Sequence, residues 1–117
     1  MLFRSMKSAS RDLCATLWPT EEPRSSIFAL ADKLTLGPAE VDEWRESAAR
    51  SGAGLAMAMV LAHYPEVDVD EVAEGAPIDE DGNSVDVKAL LPRVRRAASR
   101  VAEYVDLEER VEKAPEE

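Results

Sequence analysis

Four arginines carry the most pointed chemistry in this chain. Arg93, Arg96 and Arg100 fall at i, i+3 and i+7, so they share one side of a helix, and Arg95 lies near it. A guanidinium fork donates bidentately to carboxylates and phosphates, so such a row could grip a partner's acids or a nucleic-acid backbone. With Lys88 they make five bases and no acid across residues 88–100. Residues 65–87, just before, hold nine acids and no base. The preferred reading is that the arginines neutralise this neighbouring acidic segment; binding of phosphate or of a partner is the alternative.

Other chemistry-bearing residues lack the company that catalysis or metal binding needs. The acidic turn at residues 78–86 resembles a calcium loop only in its middle. With Gly82 at the glycine position, Pro77 and Lys88 occupy the two end-ligand positions and neither fits. His63 is the single histidine and Cys14 the single cysteine. One chain therefore cannot assemble a His-containing triad, a paired-histidine site or a His–Cys metal cluster. His63 reads as a capping or packing residue near a helix C-terminus. Cys14, beside Ala15 and Leu17, reads as a small core residue. Gly52 and Gly54 lie inside a helical pattern with no strand before them, which excludes a phosphate loop. The carboxylates sit in solvated runs, whereas acid–base work calls for one raised in an apolar pocket. The expectation is a non-enzymatic protein without cofactor, metal or catalytic residues.

A chain of 117 residues has the length of one domain. Hydrophobic residues are 45% of it but aromatics only 5%, so Ala, Val and Leu must fill the core. Alanine removes little apolar surface at about 25 cal/mol per Å², which predicts a thin core that a partner could reinforce. The net charge is −10, from 14 bases and 24 acids, and disfavours attraction to nucleic acid or anionic lipid. The lone cysteine excludes an internal disulfide, and no apolar run is long enough to span a bilayer. These features fit a cytoplasmic or nuclear protein. Residues 1–11, with Arg4, Lys7, Arg11 and three serines but no acid, also fit a mitochondrial or plastid targeting segment.

The elements that would position these residues are helices. Leu2, Phe3, Met6, Leu13, Cys14, Leu17 and Trp18 recur at helical spacing until Pro19, with Ser5, Ser8 and Ser10 weakening the middle. Ser25 or Ser26 caps a second helix through Ile27, Leu30, Leu34 and Leu36, which Gly37-Pro38 should end. Pro38 opens the next, with Val41, Trp44, Ala48, Leu55 and Met59 on its stripe and the Gly52/Gly54 pair inside it. Each glycine costs about 1 kcal/mol in a helix interior, so the pair implies a bend or, preferably, close approach of another helix. Asp68 or Asp70 caps a short helix stopped by Gly75, and residues 81–84 read as a turn. From Ser84 or Asp86, the residues Val87, Leu90, Leu91, Val94, Val101, Tyr104 and Val105 mark the clearest helix, which Pro92 should kink or restart. Beyond Leu107 the Glu-rich tail should hold some helix and then fray.

The fold class expected is all-α, a small bundle of about four helices with an acidic loop between the third and last long helices. Residues 1–24 form an N-terminal helix and connector, 25–107 the helical core domain, and 108–117 an acidic tail. Trp44, Leu55, Met59, Leu90, Leu91, Val94, Val101 and Tyr104 should make the main core.

The order of segments carries a resemblance. His63-Tyr64-Pro65 opens a run fitting the pattern YPxxDxxxxAxGxP through Pro77, and Ala98 to Leu107 fits AxxVAxxxDL. This looks like the helical segment of grass-genome proteins derived from Ty3/gypsy-type retroelements, over about residues 44–107. The resemblance implies a plant origin and a gag-like or accessory helical segment without enzymatic activity. It transfers no catalytic or binding residue. The zinc knuckle, protease and polymerase regions of the longer elements are missing, which would make this a relic that has acquired a host regulatory role.

Together these readings predict a protein–protein interaction module that binds another protein or itself, with no membrane partner. The candidate partner-binding residues are Arg93, Arg95, Arg96 and Arg100 with Gly52 and Gly54. A gag-like RNA- or DNA-associated protein using the same arginines is the alternative.

Overall fold

A computed structural model describes residues 2–22 and 26–115, with side chains from residue 5 onward. Pro23, Arg24 and Ser25, including one of the two expected cap residues, lie outside the described residues. The chain is all-α: α1 is Leu2–Leu17, α2 Ile27–Leu34, α3 Gly37–His63, α4 Val69–Ala73 and α5 Leu91–Ala102, with a 3₁₀ turn at Val87–Leu90. It divides into two compact units, residues 1–46 and 47–117. Helix α3 supplies residues to both.

In the first unit, α1 packs along α2. Cys14 and Leu17 from α1 and Leu30 from α2 are its buried apolar residues, Leu30 with no exposed surface at all. The Ser26 hydroxyl caps α2 by accepting the Ala29 N–H at 3.0 Å. Gly37 does not act as a left-handed helix stop. Thr35 ends α2 in ordinary helical geometry, and α3 begins two residues later at Gly37. Gly37 is instead buried against α1, where an added Cβ would sit 3.8 Å from Leu17 Cδ1. Trp44 belongs to this unit, its Nε1–H donating to the Leu17 carbonyl at 2.8 Å. Lys33 lies 4.3 Å from the Trp18 ring centre and pairs with Glu21 at 2.7 Å, so one ammonium is shared by a π face and a carboxylate.

The second unit is organised differently. Ser47 is its one buried residue among those described, at 2% exposure. The Ser47 hydroxyl accepts the Val111 N–H at 2.7 Å and donates to the Glu109 carbonyl at 3.5 Å. Arg50 Nε donates to the Val111 carbonyl at 2.9 Å. The tail expected to hold some helix and then fray carries no helix over residues 108–115 and is tied to α3. It cannot prolong α5, because that helix stops at Ala102 and only turns follow.

The acidic connector between α3 and α5, residues 65–87, folds on its own aspartates. Asp68 caps α4 through the N–H groups of Asp70 and Glu71, and Gly75, at φ +129°, takes the left-handed conformation just beyond the end. Asp79 Oδ1 accepts the N–H groups of Asp81 and Asn83, each at 2.9 Å, around Gly82 at φ +81°. Asp86 caps the 3₁₀ turn through the Lys88 N–H, and Pro92 then stands in the first turn of α5. Pro92 restarts the helix, since its missing N–H costs nothing there.

Candidate functional site

The expected main core does not form. Trp44, Leu55 and Val101 are half-buried, whereas Met59 (40%), Leu90, Leu91, Val94 (48%) and Tyr104 are exposed. Helical periodicity identified an apolar face on α3 and another on α5, but the two helices do not close on each other. Between them lies an open groove of about 660 Å³ within the second unit. From the α3 side it is lined by Gly52, Ala56, Met59, Val60, His63 and Tyr64. From α5 come Val94, Ala97, Ala98, Val101 and Ala102, with Val105 beyond the helix end. These α5 positions are the i, i+3, i+4 row of one helical face.

The lining is chemically uniform. His63 and Tyr64, whose ring centres are 6.3 Å apart, supply its only polar side-chain atoms. A small-molecule pocket generally aims several polar groups at its ligand to fix orientation. This groove instead offers a row of small and branched aliphatic side chains, the kind of surface that receives an amphipathic helix. A second hollow, of about 460 Å³, lies in the first unit between Leu13, Leu17, Leu34, Gly37, Pro38, Val41 and Asp42.

The arginines border the groove without lining it. With about 100° between successive residues, Arg93 and Arg100 fall on one edge of the α5 apolar stripe and Arg95 on the other, with Arg96 toward the back. All four are exposed. The expected neutralisation of the acidic segment is not seen. None of the four guanidinium groups, and none of the nine connector acids, joins an ion pair among the described residues. Three of the nine acids, Asp68, Asp79 and Asp86, are turned into local backbone caps instead.

Gly52 lines the groove and Gly54 does not. A Cβ added to either would meet no atom within 4 Å, so the close helix approach expected at this pair does not occur inside the chain. Helix α3 also runs through both glycines without interruption. Cys14 is buried in the first unit. Among the described residues no group of three or more His, Cys, Asp and Glu side chains gathers as a metal site. No helix among them is long and apolar enough to cross a membrane.

The residues that sequence reasoning missed are Met59, Val60, Val94 and Ala98 as groove residues. Met59 and Val94 are on the expected apolar rows but stand beside a groove rather than in a closed core, whereas Val60 and Ala98 carry no signal that singles them out. No family model, no curated protein and no solved structure matches the chain. The likeness to retroelement-derived segments thus rests on the residue pattern alone.

Proposed function

We propose that this chain is a non-enzymatic interaction module whose second unit receives an apolar helical face of a protein in the groove between α3 and α5. The observation that carries this reading is the groove itself: about 660 Å³ lined by aliphatic side chains, with polar atoms at one end only. Its α5 wall supports the same reading. Val101 alone on α5 is even half-buried. Isolated helices shorter than about 12–15 residues are marginal in water and owe their stability to packing of an apolar face. A 12-residue helix with its stripe uncovered is a surface built to be covered.

The nucleic-acid reading is weaker on the same geometry. Four arginines would release few counterions, and nine unpaired acids share their unit. A host role for a retroelement-derived protein would be compatible with the groove but is not needed by it.

The test is selection from a displayed library of helical peptides against the full chain. The reading predicts enrichment of sequences with apolar residues at i, i+3 or i+4, and i+7, and a loss of binding of at least ~10-fold on Ala98→Glu. Ala98 is exposed on α5, so the substitution leaves the helix content measured by circular dichroism unchanged. Retained binding to that variant, or enrichment of peptides without an apolar row, would overturn the reading.

A further inference from the structure

We infer that the occupant of the groove is a second copy of this chain, the two α3–α5 faces packing about a two-fold axis with the arginines of each copy against the acidic connector of the other. This rests on the groove being a helix-docking surface, as proposed above, and adds the identity of the partner.

Charge decides the occupant. A net charge of −10 makes two copies repel at long range, so any self-contact must use the part of the surface where positive charge is concentrated. That part is residues 88–100, with five bases and no acid, and it borders the groove. The complementary charge, nine acids at residues 65–87, is carried by the same unit, and neither set is paired within the chain among the described residues. A two-fold contact is isologous: if surface i of one copy meets surface j of the other, j also meets i. One such contact therefore sets the five bases of each copy against the nine acids of the other, twice over. A helix of unrelated sequence would need to bring its own acids and would leave the connector's nine acids unanswered.

Size agrees. The groove residues, together with Leu90, Leu91 and the three arginines on its edges, approach the roughly 20 residues a side of a standard protein interface. Gly52 on the groove wall leaves space for a neighbouring backbone that nothing in its own chain fills.

The experiment is sedimentation velocity on the full chain over a range of concentrations, at about 50 mM and about 500 mM salt. The wild-type chain should form a dimer whose dissociation constant rises at least ~10-fold at the higher salt. Arg93→Glu/Arg95→Glu/Arg100→Glu should weaken it by at least ~30-fold, since like charges then face each other. Glu66→Lys/Glu74→Lys/Glu80→Lys, at side chains that cap nothing, should weaken it comparably. An equimolar mixture of the two triple variants should restore a heterodimer to within ~3-fold of wild type, because the charge pattern is complementary again.

A wild-type chain that stays monomeric, a dimer indifferent to the arginine changes, or a mixture that fails to associate would each overturn the inference. The outcomes separate this inference from the reading beneath it. A monomer that still selects helices lost on Ala98→Glu keeps the groove and replaces the partner, whereas a monomer that selects none removes both.

Discussion

Replacing Ser47 by alanine deletes one oxygen from the second unit, and its effect follows from three distances. The Ser47 Oγ accepts the Val111 N–H at 2.7 Å, a short bond, and donates to the Glu109 carbonyl at 3.5 Å, a weak one. Arg50 Nε still holds the Val111 carbonyl at 2.9 Å in the variant. The loss is therefore one strong bond and one orphaned amide. Leaving a buried donor unsatisfied costs about 1–3 kcal/mol, and because Val111 is only half-buried, water can partly replace the hydroxyl. The expected cost is about 1.4 kcal/mol, at the low end of that range. Local opening of residues 109–111 should then become about tenfold more frequent, since exchange of a locally protected amide follows its opening free energy. Amide hydrogen exchange followed by NMR reads this directly: the Val111 amide should exchange about tenfold faster. The Leu30 amide, bonded to the Ser26 carbonyl in the first unit, should keep its rate. An unchanged Val111 rate, or an equal acceleration at Leu30, would refute the tether and attribute any loss to global unfolding.

Three further substitutions have expected outcomes. Gly54→Ala places a methyl in open space within a helix, so stability should rise by about 1 kcal/mol and the thermal midpoint by roughly 4 °C, with self-association unchanged because Gly54 lies off the groove. Lys33→Ala removes both the contact with Trp18 and the ion pair with Glu21. With Glu21 half exposed, the ion pair is screened, and denaturant titration should show a total loss of about 1 kcal/mol. Asp86→Ala removes the acceptor for the Lys88 N–H and should cost about 1 kcal/mol by the same titration, with faster amide exchange across residues 87–90.

Local signals in the sequence translated well into local structure. Ser26, Asp68 and Asp86 cap the elements they precede, Gly75 and Gly82 take positive φ, and Pro92 restarts a helix, because each acts on backbone within about four residues of itself. The apolar rows on α3 and α5 were equally legible. What periodicity cannot give is whether two such rows meet, since it records the direction of a face and not the distance to its cover. That is why Met59 and Val94 were placed in a core and stand beside a groove instead. The Ser47–Val111 tether spans 64 residues, and nothing about a serine in a helix or a valine in a Glu-rich tail marks them as partners. The arginine row was visible as a row. Its freedom from the neighbouring acids was not, because closeness along the chain does not fix which side chains meet in space; three of those acids turn back onto their own backbone.

The groove gains its meaning from what uncovered apolar surface does in water. Burial of each methylene contributes about 0.8 kcal/mol, so an exposed row of valine, leucine and methionine on two adjacent helices is a standing driving force for association. The arginines on its borders direct that force toward acidic surfaces, and the acidic surface already present is the chain's own connector.

The most direct test of that claim compares the solution mass of the wild-type chain with that of Ala98→Glu, side by side at the same concentration and low salt. A charge placed on the groove wall cannot be buried unpaired without a penalty of several kcal/mol. A dimer for the wild-type chain and a monomer for the variant is the predicted result. Equal masses for the two would contradict it.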